Sequence, residues 1–581
     1  MAYTFFKQKW QRVTFYVVLG FVVVILLLAL AVNMYFSPVL EDKLKSSIAE
    51  SSDSLYRVNF DKAKLHILQG KVSIDNATLK VDSAVYKKKK KEGTAPNNLY
   101  DVKVEQIRLS GISLFKLYFG KKAFVDKVVL TSPSIDMSYE PNNTEDKPQK
   151  DNRTIWQRMS KSLKSLRVGE IRLNNLKFRH TDYSHKKALR TEVREMNLHA
   201  VDLFVDSTTQ ADTSRFFYCK DIVTDINNYN GKTPNGLYFY KLKTIKLSTK
   251  SRQLTLIGAT LKPFNRLLFF TKTRTERFDL SFDTIRLNNF NFINYYRYRQ
   301  FTASSANLIK GVADVFGAPN KIPNYQKDAA PSFPHMALRK LDFGLKIDTI
   351  RLKKVHILYS EFNKKSQKNG TITFGNTTGE ILNITNNKKA LAKNNISRIK
   401  ITTYFMDRGR LDVTFRLNLT ADNAAFSYKG SLGPMQLSAL NKAIMPISMV
   451  KVTSGNLTRF DFDVDANRYA AKGKMTFLYK DLKINILKRD EDDGRLKKKG
   501  LTSLLANYLV LERNNPDEPG KAPRSANITF VRPVSYPFFK IAWKTLFAGV
   551  KECVGVSEMD EKRANAKMSE GDLKKQRGEK D

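Results

Sequence analysis

Few residues in this 581-residue chain are spaced for chemistry. His180 and His185 flank Asp182, which would begin a metal donor set, yet the three sit in a short polar stretch that reads as a turn. The acidic group Asp490, Glu491, Asp492 and Asp493 before Gly494 has the look of a calcium loop. Its twelfth position holds Leu501 instead of the bidentate acid that such a loop needs. No HExxH, GxSxG, Walker, GxGxxG or paired CxxC pattern occurs, so the common hydrolase, nucleotide and zinc chemistries lack their carriers. No catalytic residue, cofactor or metal is expected, and the chain does not read as an enzyme. Cys219 and Cys553 are the only cysteines, too few for a disulfide framework.

The elements say more than the scattered donors. Residues 13–40 form one uncharged run rich in Val, Leu and Phe, and no second run like it follows. The 22 residues from 15 to 36 would make about 33 Å of helix, enough to cross a hydrocarbon core about 30 Å thick. The run is too long for the apolar part of a cleaved signal peptide and lacks an A-x-A-like site, which favours an uncleaved anchor. Lys7, Lys9 and Arg12 precede it, and this bias puts the short N-terminus in the cytoplasm and the remainder outside.

That remainder alternates. Leu411, Val413, Phe415 and Leu417 are separated by Asp412, Thr414 and Arg416, the pattern of a half-buried strand. Phe460 and Phe462, then Met475 and Phe477, then Leu482 and Ile484 continue it, and Val102, Val104, Phe278 and Phe282 show it earlier. The tripeptide Ile-Arg/Lys-Leu recurs at Ile107, Ile171, Ile245, Ile285 and Ile350, and several copies run on into Ser-Gly or Asn-Asn. Each copy predicts a strand, a turn or bulge, and a further strand. The fold class expected is mainly β: a transmembrane helix followed by an elongated, curved antiparallel sheet with a few short helices. One of these is predicted over 155–166, with Ile155, Met159, Leu163 and Leu166 on one face.

A net charge of +44 would ordinarily suggest nucleic acid, but the anchored topology keeps nucleic acid away, and anionic membrane surfaces suit the cations better. The lysine runs at 87–91 and 497–499 read as loops. Near the C-terminus, Phe539, Trp543, Leu546 and Val550 share one helical face, with Lys540 and Lys544 elsewhere. Such a helix either lies on a membrane or packs on the last β segment.

The stretch KLHILQGKVSIDN at 64–76 and VDKVVLTSP at 125–133 resemble the N-terminal module of AsmA-like proteins. SGNL at 454–457, AKGKM at 471–475 and YKDLKI at 479–484 are similar to the C-terminal part of the same family. The resemblance covers roughly 37–140 and 425–490 and is weak between. It implies a repeating β-groove fold, a periplasmic location behind an inner-membrane anchor, and a part in phospholipid traffic or outer-membrane homeostasis. Partners implied are phospholipids, the inner membrane, and the outer membrane or envelope proteins. The groove lining would be Leu411, Val413, Phe415, Leu417, Phe460, Phe462, Met475, Phe477 and Ile484. A non-enzymatic structural or assembly factor with a closed β core is the alternative.

The boundaries that follow are a cytoplasmic N-terminus (1–13), the membrane helix (14–36), an N-terminal β module (37–140), a linker (141–153) and middle β repeats (154–317). After these come a Pro-rich linker (318–337), a C-terminal β module (338–488), a linker with short elements (489–533), the amphipathic helix (534–555) and a charged tail (556–581).

Overall fold

A computed structural model describes residues 45–556 apart from 47, 51, 67–68, 143–154, 161–162, 185–187, 210–211, 213, 234, 274, 318–327, 491–492 and 499–510. The expected membrane helix, the segment before it and the tail beyond Val556 therefore lie outside the described residues. Among those described, no helix is long and apolar enough to cross a membrane.

The chain is mainly β and divides into two compact units. The first comprises Met1–Lys232, Tyr240–Ala259 and Arg286–Thr302, and the second Thr233–Phe239, Thr260–Ile285 and Ala303–Asp581. The expected middle module is thus shared between the two.

In the first unit, alternation makes the strands. Along Asn98–Ser110, Val102, Val104, Ile107 and Leu109 are buried while Asp101, Lys103, Glu105 and Arg108 are exposed. This strand pairs antiparallel with Lys71–Val81 on one side. On the other it meets Lys122–Thr131 and Ser134–Tyr139, which are one line of chain broken at Ser132 and Pro133. Ser132 has φ 47°, a left-handed conformation that interrupts the ladder there.

A mostly antiparallel sheet was expected, and the first unit adds parallel pairs to it. Both Lys122–Thr131 and Ser134–Tyr139 pair parallel with Ser165–Asp182. Parallel neighbours need a crossover of a dozen or more residues. The span 140–164, expected as a linker and a helix, is that crossover. Its helix is only Ile155–Met159, and Leu163 and Leu166 are buried in the sheet core beyond it.

The Ile-Arg/Lys-Leu repeats all fall on strands. In four of the five copies, all but that at Ile245, the residue four after the isoleucine (Gly111, Asn175, Asn289 and Lys354) has positive φ (67°, 56°, 50° and 56°). The copies at Ile171 and Ile350 continue as strand through a register shift, which is the expected bulge. Those at Ile107 and Ile285 instead turn into the short helices Leu114–Gly120 and Phe292–Tyr298.

In the second unit an antiparallel ladder runs Gly344–Asn363, Lys368–Thr385, Ile396–Phe405, Gly409–Asn418, Phe426–Leu432, Val450–Ala466, Ala470–Arg489 and Ser525–Val531. Two helices are packed on it, Asn441–Ser448 with Pro446 inside and Phe538–Cys553. The region expected as a linker at 489–533 supplies the strands Leu496–Lys498 and Ser525–Val531. Lys497 is therefore on a strand, where its ammonium meets Asp490 at 2.8 Å and Asp493 at 3.3 Å.

Candidate functional site

Register carries one apolar row across the whole ladder of the second unit. Ile350 faces Ile381, which faces Ile399, then Phe415, Tyr428 and Val464, and the row ends through Gly473 at Ile528. Seven strand spacings make this about 34 Å. A second row beside it runs Leu352, Gly379, Ile401, Val413, Gly430, Phe462, Met475 and Ala526. Period-two alternation puts both rows on one face.

Burial is uneven along them. Tyr428, Val464 and Ile528 are 2%, 1% and 3% exposed, whereas Ile350, Ile381, Ile399 and Phe415 are only half-buried. The C-terminal helix accounts for the closed end. It buries Phe538, Ile541, Thr545, Gly549 and Cys553, spaced to form one stripe. Phe538 packs at 4.8 Å from the ring of Phe426 and 6.0 Å from that of Phe415. The Tyr428 hydroxyl donates to the Ala542 carbonyl at 3.1 Å, and the Arg524 guanidinium to that of Cys553 at 3.1 Å.

Arg532 sets the helix in place. Its side chain is 1% exposed and lies 5.5 Å from the centre of the Phe333 ring. It ion-pairs with Asp328, and donates to the carbonyls of Arg468 at 2.6 Å, Val534 at 2.8 Å and Tyr536 at 2.7 Å. A buried cation so satisfied fixes the turn from which the helix starts.

Beside the helix lies a buried polar cluster. The Tyr359 hydroxyl donates to Glu361 at 2.8 Å, Trp543 Nε1 donates to the same oxygen at 3.3 Å, and Lys540 meets the other oxygen at 3.3 Å. Burial, with the charge of Glu361 adding, raises the Glu276 carboxyl to about 7. Its Oε1 is buried without a hydrogen-bond partner. A depression of about 500 Å³ lies elsewhere, lined largely by polar-face residues such as Asp412, Lys429, Asp463 and Lys474 around Gly430.

The predicted lining residues come together on this face. Leu411, Leu417, Phe460, Phe462, Met475 and Phe477 are buried in one core cluster, and Val413, Phe415 and Ile484 pack against it half-buried. The expected membrane-contacting face of the helix is not presented as such. Leu546 and Val550 pack on the core, Lys540 and Trp543 turn to Glu361, and Lys544 sits 4.2 Å over the Trp543 ring, leaving Phe539 at 42% exposure. The helix is apolar over more than half its circumference, and the wider stripe took the sheet. Ile350, Leu352, Ile381, Ile399 and Ile401, the half-open part of the face, were not in the predicted lining. The signal for Ile350 and Leu352 was their Ile-Arg-Leu repeat, and for Ile399 and Ile401 their alternation with Arg398, Lys400 and Thr402.

Among the described residues no three His, Cys, Asp or Glu side chains gather as a metal site. His180 is buried on strand Ser165–Asp182, and His185 lies outside the described residues. No protein-family model matches this sequence, and no curated protein does either.

Proposed function

We propose that this chain is a single-pass, inner-membrane-anchored periplasmic protein that shields phospholipid acyl chains on an apolar sheet face and passes them along it. The observation that carries this is the pair of cross-strand apolar rows in the second unit, closed beneath the helix at Val464 and Ile528 and only half-buried from Ile350 to Phe415. Each acyl methylene moved from water onto such a surface gains about 0.8 kcal/mol, while a charged headgroup stays in water because burying it is costly. The lone apolar run at 13–40 and the resemblance to AsmA-like proteins support the anchor and the lipid class. Nothing in this role needs a catalytic group or a cofactor.

The second reading, a structural or assembly factor with a closed core, is favoured by one observation. The helix Phe538–Cys553 occupies the face over Tyr428, Val464 and Met475, where acyl chains would otherwise lie. The two readings part at the half-open rows. A photo-crosslinking residue placed at Ile381 or Ile399 of the full chain in cells should yield phospholipid adducts, and one at Phe477 should yield none. Absence of adducts at both open positions would leave the closed-core reading.

A further inference from the structure

The lysine run at 87–91 is no loop. It forms the last turns of helix Ser83–Lys91, started by Asp82, whose carboxylate accepts from the backbone of Ala84 at 2.9 Å and Val85 at 3.2 Å. Four lysines in the last turn oppose the negative end of the helix dipole, which lets so dense a run stay helical.

The helix is docked by one side only. Val85, Tyr86 and Lys89 are partly buried, Lys89 ion-pairs with Asp53, and Lys90 with Glu140 at 2.7 Å. Asn142 donates to the Tyr86 hydroxyl at 2.6 Å, which in turn donates to Glu140 at 3.1 Å. Ala84, Lys87, Lys88 and Lys91 lie three and four residues apart on the remaining side, all exposed. Lys88 reaches Glu92 only at 4.0 Å, and Lys87 and Lys91 have no ion pair among the described residues. The stripe is held in shape while Lys87 and Lys91 are left without an ion pair among the described residues.

Its place in the chain matters. Asp53, which holds Lys89, stands only 17 residues beyond Phe36, where the proposed anchor ends. We infer that Lys87, Lys88 and Lys91 form a docking stripe for the anionic headgroups of the membrane in which the chain is anchored. This rests on the anchor reading under the proposed function. Each lysine near an anionic surface contributes about fivefold in partitioning, and such attraction is screened by salt.

The test uses the full chain in vesicles, with a polarity-sensitive fluorophore on Ala84→Cys; the native thiols of Cys219 and Cys553 are buried. A headgroup-nitroxide lipid should quench the label in vesicles containing phosphatidylglycerol and much less in pure phosphatidylcholine, and high salt should remove the difference. K87Q/K88Q/K91Q should weaken the effect by about fivefold per lysine, and K87R/K88R/K91R should keep it, with Lys89 and Lys90 left to hold the helix. Equal quenching in both vesicles, or quenching indifferent to the triple glutamine variant, overturns the stripe. An alkaline carbonate wash separates the two ideas. Protein stripped by carbonate that still quenches with phosphatidylglycerol keeps the stripe and loses the anchor.

Discussion

Gly549 of the C-terminal helix meets Met475 of the sheet so closely that a Cβ at position 549 would fall 2.2 Å from the methionine sulfur and 2.1 Å from Ile528 Cδ1. The helix backbone itself is seated on the sheet, with Cys553 wholly buried one turn further on. Gly549→Val should lower the thermal midpoint, by the equivalent of about 1–3 kcal/mol for an overpacked core. Gly549→Ala should cost less, because the helix propensity it gains, about 1 kcal/mol, offsets part of the overlap. If the proposed lipid role holds, lifting the helix should also bring lipid adducts to Phe477, where the wild-type chain gives none.

Arg532 predicts the same undocking from the other end. Arg532→Met leaves Asp328 with Arg468 as its remaining ion-pair partner and three carbonyls without their donor. A cost of about 1–3 kcal/mol is expected for the acceptors left without a donor. Limited proteolysis near Val534 and Tyr536 checks it, with early cleavage in the variant. Arg532→Lys should be nearly as susceptible, because a single ammonium cannot reach all four groups.

The buried Glu276 carboxyl gives the second unit a pH signature. Burial and the Glu361 charge raise it from 4.5 to about 7, so the folded chain keeps a proton that the unfolded chain has released. Stability contributed by this group is therefore full below 4.5 and declines as pH rises toward about 7. The loss is of order 3 kcal/mol at most. Thermal melts across this window should show the decline in the wild-type chain, and Glu276→Gln should flatten it.

Asp202 in the first unit should behave oppositely. Burial alone would raise its carboxyl, but Arg167 at 2.7 Å, Arg215 at 2.9 Å and Lys220 at 3.0 Å outweigh that and hold it at about 2 instead of 3.8. The stability it contributes is present above 3.8 and is lost as pH falls toward about 2. Asp202→Asn should remove this acid limb and cost about 1–3 kcal/mol at neutral pH, because the Arg215 guanidinium loses one carboxylate but keeps Asp212 at 3.3 Å and the carbonyls of Asp202 and Tyr218. Acid titration followed by tryptophan fluorescence or circular dichroism measures both.

Much of the fold is legible in the sequence. Leu411, Val413, Phe415 and Leu417 do share one face, because side chains two residues apart must do so in a strand. The residue four after three of the five repeated isoleucines was legible as a bulge or turn from Gly111, Asn175 and Asn289, types that tolerate positive φ. Lys354 takes the same conformation without that cue. The lysine helix was missed although Asp82 stands at its N-cap and the lysines suit its C-terminal end, since a run of like charge without apolar spacing hides the helical period.

Sequence by itself determined where many of the strands run, though not those at Leu496–Lys498 and Ser525–Val531, which residues of an alternating strand face together, and that the apolar run at 13–40 stands alone. These follow from backbone period and local composition, which need no partner to be defined. Only the tertiary structure decided that the crossover 140–164 makes Ser165–Asp182 parallel to its neighbours. It alone decided, too, that helix Phe538–Cys553 covers Val464 and Met475 while Ile381 and Ile399 stay half-open. A half-buried strand writes the same alternation whether a helix, a second sheet or a lipid lies against it, because the hydrophobic effect is non-directional and rewards any apolar cover.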